Sequence, residues 1–214
     1  MRRLIRLHGP CALVPRSISA LRPAGPQPRD GLQRAPLRWS PYEALTRAIA
    51  HQQLHRLAAE SILARFVALF GNGRFPSPLD VSTARAARLR RAGFSRGKVR
   101  AIKDIARHAL AGNVPTRRVA ARLEDDAIVA QLTRIHGVGR WTVEMLLIFT
   151  LGRLDVLPVD DFGVREGYRI AYRLRARPTP KALRAIGERW KPYRSVAAWY
   201  LWRAAGAARK TVKS

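Results

Sequence analysis

The chain has 214 residues, with 41 Lys and Arg against 14 Asp and Glu, and its formal net charge of +27 favours a polyanionic partner held by salt-sensitive contacts. A single cysteine, Cys11, excludes a disulfide framework and a four-cysteine iron–sulfur cluster and fits a reducing cytoplasm. The length suits one domain or two intimate subdomains, and no run approaches the roughly 18 consecutive apolar residues of a membrane span, so a soluble protein with no membrane partner is expected.

Residues 1–38 hold six prolines, many arginines and no acidic residue before Asp30, and predict a basic, largely disordered arm. Such an arm also suits a transit peptide, but it has no secretory-type apolar run, and a flexible basic extension is the better reading. A folded region is expected over 39–208, with a short tail at 209–214. Ser40-Pro41 is an N-cap followed by proline at the first helical position, and Tyr42, Leu45, Ile49 and Gln53 share one side of a helix running to about His51. Residues 54–70 continue with Leu57, Ile62, Phe66 and Leu69 until the glycines and prolines of 71–78 break the chain. Asp80 suits the cap of a short third helix. Ser95 caps a fourth, striped by Val99, Ile102, Ile105, Ala106 and Leu110 and stopped at Gly112-Asn113. Two more helices, marked by Ala127, Ile128, Leu132 and Ile135 and then by Val143, Leu146, Leu147 and Phe149, flank His136-Gly137-Val138-Gly139. Thr179-Pro180 starts another, and Lys191-Pro192 a last one through Trp199 and Trp202. No convincing alternating strand pair occurs, so the fold class is all-α.

Two glycines in so short a connection allow positive φ and close backbone approach, and the helix that follows offers unpaired N–H groups to an anion. A nucleic-acid phosphate suits that end. From Gly139 to Asp161 there are 22 positions, room for a helix of about three turns, a short loop and the start of a new helix.

HGVGRWT, residues 136–142, resembles the hairpin of the helix-hairpin-helix DNA glycosylases, and LPVDDFGVREGY, residues 157–168, resembles the segment carrying their catalytic aspartate. A glycine pair alone is a weak signal; hairpin, tryptophan and PVDD at this spacing are a strong one. SPYEALTRAIAHQQL, GFSRGKVRAIKDIA and ERWKPYRS extend the likeness over most of 40–208. It is to the 3-methyladenine DNA glycosylase II type in compact form, without the amino-terminal β domain of larger relatives. The missing cysteines separate the chain from the endonuclease III branch. The resemblance implies two helical subdomains with a helix-hairpin-helix motif and the active site in the cleft between them.

It also implies roles. One aspartate of the pair should cap the helix starting near Phe162, and by resemblance Asp160 is that structural residue and Asp161 the catalytic one. Asp161 would stabilise the oxocarbenium-like sugar as the C1′–N bond lengthens and orient or deprotonate the attacking water. A purine alkylated at ring nitrogen departs as a neutral base and needs no general acid, and an aromatic pocket favours such an electron-poor base. Trp141 and Trp202 match pocket aromatics of the family, Met145 stands where a larger relative has tyrosine, and Trp190 and Trp199 are left to the core. Tryptophans on apolar helix faces are also ordinary core residues, an alternative that stays open for Trp141 and Trp202. Relatives that also cut the strand carry a lysine at the position of Trp141, so no covalent lyase chemistry is expected. Gly137, Val138 and Gly139 would grip a phosphate, with a hydroxyl contact from Thr142, and the carbonyls of Ile135 and Gly137 could hold a monovalent cation. The gap left by the flipped nucleotide would be filled by Gln53, Leu54 or His55. Arg96, Lys98 and Arg100 either touch phosphates or form a solvated face, and His51 and His55 lack a partner for zinc.

The expectation is a monomeric, cytoplasmic, bacterial-type monofunctional glycosylase that excises alkylated purines from duplex DNA without a redox or organic cofactor. The alternatives are a non-catalytic helix-hairpin-helix protein binding DNA structure, and a glycosylase for mismatched or oxidised bases.

Overall fold

The computed structural model describes residues 39–71 and 73–211, and every element in them is helical. The basic arm expected over 1–38 lies outside the described residues, as do the last three residues of the tail. The chain divides after Leu151 into two compact units.

The first unit begins as its sequence dictates. Helix α1 (Pro41–His51) starts where Ser40 Oγ accepts the Glu43 N–H at 3.2 Å, with proline in the first turn. It packs its fully buried Leu45 and Ile49 on α2 (Arg56–Ala68) and α5 (Arg96–Leu110), each such side chain contributing about 1.5–3 kcal/mol. Ser95 caps α5 as expected, and Gly112, at φ +77°, ends it. Helix α3 (Pro78–Thr83) corrects the expected cap: Ser77 holds that place, because Pro78 takes the first helical position. Asp80 sits three residues on and accepts the Ser77 N–H at 2.8 Å, which closes a capping box. The short helices α4 (Ala86–Arg91) and α6 (Arg117–Ala120) were not expected; neither is long enough to show a period. Helix α7 (Asp125–Leu132) leads through the glycine turn to α8 (Arg140–Met145). There the regular helix gives way to a π-helical turn over Leu146–Thr150, with Leu151 N–H on the Leu146 carbonyl at 3.0 Å. Leu146, Leu147 and Ile148 are all buried in succession, which the wider turn accommodates. Arg117 closes the unit by donating to the Thr150 carbonyl and, at 2.6 Å, to that of Trp39.

The second unit contains α9 (Phe162–Ala171), α10 (Pro180–Gly187), a 3₁₀ turn at Glu188–Trp190 and α11 (Arg194–Thr211). Thr179 caps α10 as its sequence predicts. Helix α11 starts two residues beyond Lys191-Pro192 and runs past the expected limit at 208. Val164, Tyr168, Leu183, Trp199 and Leu201 form the core, and Trp190 packs against it, so Trp190 and Trp199 lie where the sequence put them. Helices α9 and α11 cross closely. A Cβ on Gly167 would stand 1.8 Å from the Leu201 carbonyl oxygen, so only glycine fits there. Among the described residues no helix is long and apolar enough to cross a membrane.

Candidate active site

The PVDD segment is a tight turn in which the Asp161 N–H returns to the Pro158 carbonyl at 3.1 Å. Val159 points into the core at 4% exposure, Asp160 is exposed, and the Asp161 backbone is left at the start of α9. Asp161 itself is therefore the N-cap. Its Oδ1 accepts the Val164 N–H at 2.8 Å and also the indole N–H of Trp202 at 2.8 Å. This corrects the expected division of labour, in which Asp160 capped the helix. In this turn Asp160 faces solvent, and Asp161, with extended backbone, stands at the cap position. Asp161 is thus fixed by two donors, one from its own helix and one from α11.

The indole reaches the carboxylate because α9 presents glycine twice to α11, at Gly163 and Gly167. A Cβ on Gly163 would lie 2.8 Å from Trp202 Cδ1 and 3.1 Å from Asp161 Oδ1. The segment leading into the turn is fastened to the start of α11. Buried Ser195 donates through Oγ to the Arg153 carbonyl at 2.8 Å and accepts the Val156 N–H at 2.9 Å. Arg194 grips Asp155 through both carboxylate oxygens, at 2.8 and 3.0 Å. Phe162, next to Asp161, is 52% exposed, and the Arg177 guanidinium stands 4.3 Å from its ring centre.

In the first unit, the hairpin needs Gly137 on two counts: its φ is +80°, and a Cβ would meet that of Ala101 at 2.9 Å. Gly139 is the N-cap of α8, and a Cβ there would meet nothing within 4 Å, so its face is open. Among the described residues, the N–H of His136 is held by Asp104 Oδ2 at 2.8 Å and that of Val138 by the Ile135 carbonyl at 3.1 Å. Burial alone would raise the Asp104 pKa, but the His136 N–H, Arg107 and His108 together hold it below the usual carboxylate range. Val138 and Thr142 are each 4% exposed. Neither can serve a phosphate as expected: the Val138 N–H is spent inside the turn, and the Thr142 side chain is packed in the core. The proposed cation carbonyls already carry donors, Val138 N–H on Ile135 and the Gln52 amide on Gly137 at 3.2 Å. Each carbonyl oxygen keeps a second lone pair beside that donor.

Trp141, on the first turn of α8, is 45% exposed, whereas Met145, one turn on, is half-buried. The turn between α1 and α2 keeps Leu54 41% exposed beside the exposed Gln53 and His55.

Residues 46–192 match the model of the HhH-GPD superfamily base excision DNA repair proteins. The chain belongs to that superfamily. It is 45% identical over 163 residues to DNA-3-methyladenine glycosylase 1 of Schizosaccharomyces pombe, covering 76% of this chain and 72% of that one. The structure of the S. pombe 3-methyladenine DNA glycosylase Mag1 in complex with abasic DNA superposes with a TM-score of 0.76 at 40% identity, covering 94% of this chain and 89% of that chain. A DNA-3-methyladenine glycosidase from Bacillus halodurans superposes with a TM-score of 0.75 at 34% identity, over 83% of this chain and 81% of that chain.

Within this HhH-GPD chain, sequence reasoning brought out Asp161, Trp202, Trp141 and the hairpin but missed their supports. Gly163 and Gly167, spaced by four on α9, were a readable sign of a close helix crossing. Asp104, Gln52 and Ser195 gave no such sign, since a polar residue that holds a distant backbone group looks like any surface residue in sequence.

Proposed function

We propose that this HhH-GPD protein hydrolyses the N-glycosidic bond of alkylated purines in duplex DNA, of the 3-methyladenine and 7-methylguanine type, and leaves an abasic site. The observation that carries the reading is the fixed carboxylate of Asp161, set on the family's PVDD turn by Val164 and Trp202. As the C1′–N bond lengthens, positive charge grows on the sugar, and the carboxylate stabilises it without having to reorganise. Bonding electrons leave with the alkylated purine, which departs as a neutral base. Water adds at C1′, with its proton taken by Asp161.

Trp141 offers an exposed ring on which an electron-poor base can stack, and Met145 lines the same helix face one turn on. A tryptophan cannot form a Schiff base, so base release is not followed by strand cutting through this position. The backbone N–H groups of Gly137 and Gly139, in the hairpin and at the start of α8, suit a DNA phosphate, and the +27 charge supports binding that weakens with salt. Gln53, Leu54 or His55, exposed on the turn between α1 and α2, fills the space left by the extruded nucleotide. Incubating the protein with methylated duplex DNA and identifying the released bases tests the reading. Release of 3-methyladenine or 7-methylguanine supports it, and binding without any release favours a protein that only recognises DNA structure.

A further inference from the structure

Lys98 lies in the basic run that sequence alone offers to DNA, yet its ammonium faces inward. It donates to the Ala50 carbonyl at 2.8 Å and to the Gln52 carbonyl at 2.7 Å. These carbonyls lie at the C-terminal end of α1, the negative end of that helix, where a cation is favoured. Burial lowers the Lys98 pKa, in keeping with an ammonium withdrawn from solvent.

What Lys98 holds is the start of an unusual turn. Gln53 sits at φ +55°, a region that residues with side chains avoid. The Leu54 N–H returns to the His51 carbonyl at 3.3 Å, and the Gln52 side chain donates to the Gly137 carbonyl of the hairpin at 3.2 Å. The turn is pinned by the Lys98 charge at its first carbonyls and by the Gln52 amide to the hairpin. Its tip still presents Gln53, Leu54 and His55 to solvent.

We propose that Lys98 is a positioning residue. By holding the Ala50 and Gln52 carbonyls it keeps the turn in the strained, raised form that enters the gap left by an extruded nucleotide, while Gln52 ties that turn to the phosphate-gripping hairpin. The proposal rests on the reading that the chain extrudes a damaged nucleotide from duplex DNA. A turn set in advance has less to order on binding, and the two DNA-contacting elements keep a fixed spacing.

The test compares the full chain with Lys98→Met, measuring affinity for an intact duplex and for the same duplex carrying a stable abasic-site analogue, each across a range of salt. The expected result is that the preference for the abasic duplex falls about tenfold as the strained turn relaxes. Affinity for the intact duplex and its salt slope stay unchanged. If Lys98 contacts a phosphate instead, both affinities fall together and the log–log slope becomes shallower by about 0.9, which overturns the proposal. A lower melting temperature with the abasic preference intact means a structural prop only and overturns it equally. Should Lys98→Met not fold, Gln52→Leu decides: it carries no charge, and loss of the abasic preference supports the proposal while retention overturns it. A parent with neither abasic preference nor base release brings down the functional reading and the proposal together. A parent with both, beside variants that keep them, overturns the proposal alone.

Discussion

Replacing Asp161 separates its observed capping of α9 from its proposed part in catalysis. Asn at this position still accepts the Val164 N–H and is as good a cap as Asp, so Asp161→Asn loses only charge at a helix start, about 0.3–1 kcal/mol. Ala forfeits the cap, about 0.5–2 kcal/mol. It also leaves the half-buried indole N–H of Trp202 without its acceptor, about 1 kcal/mol more. Ala should therefore melt clearly below Asn, since each kcal/mol moves the midpoint of a domain of this size by about 2–4 °C. In single-turnover release of 3-methyladenine from duplex DNA the two variants should be equally poor, each slower than the parent by about a hundred- to a thousandfold, because both lack the negative charge. Thermal melts followed by circular dichroism and the single-turnover assay decide it. Asp161→Asn excising at the parent rate refutes the carboxylate mechanism, and Ala melting no lower than Asn refutes the capping argument.

Asp160→Ala should leave melting within about 0.5 kcal/mol of the parent and keep excision, because the residue is exposed at the tip of its turn; a dead enzyme here reverses the roles of the pair. Gly167→Ala should destabilise the second unit by about 3 kcal/mol or more, since the methyl meets the Leu201 backbone carbonyl, and a denaturation midpoint equal to the parent's contradicts the close crossing. Trp141→Ala should melt near the parent, the ring being 45% exposed, and lose about 1–3 kcal/mol of base stacking, read as slower excision; a large fall in melting temperature means that the ring was core. Asp104, depressed in the folded chain, stabilises the hairpin above the ordinary carboxylate pKa, and that contribution is lost as pH falls through its lowered value. Hydrogen exchange at the His136 amide should accelerate, relative to neighbouring amides, across that acid window, and an unchanged ratio counts against the tie.

Helix starts were legible at Ser40, Ser95 and Thr179, where a short polar residue precedes proline or a striped run, because capping is local chemistry. It failed at Asp80 and at Asp160, and for one reason. A neighbouring polar residue offered the same hydrogen bond: at Asp80 the Pro78 at the first helical position gives the cap to Ser77, and at Asp160 the turn before α9 gives it to Asp161. The π-helical turn at Leu146–Thr150 was hidden because its apolar run suits an α-helix as well. The carboxylate and its tryptophan were both singled out by resemblance, but their contact spans 41 positions and follows from where two glycines let α11 lie. Sequence thus named the chemistry, and packing supplied its geometry.

The indole proton shared between Trp202 and Asp161 makes this chain its own spectroscopic probe. With five tryptophans in the sequence, an indole-labelled sample yields few resonances, and the one that shifts in Asp161→Asn is Trp202. Its chemical shift then registers any change at the carboxylate: gain of a proton, arrival of a cationic sugar mimic, departure of the base. On the proposed mechanism, steps at the carboxylate can in that way be timed by observing the protein alone, with unlabelled DNA and no dye.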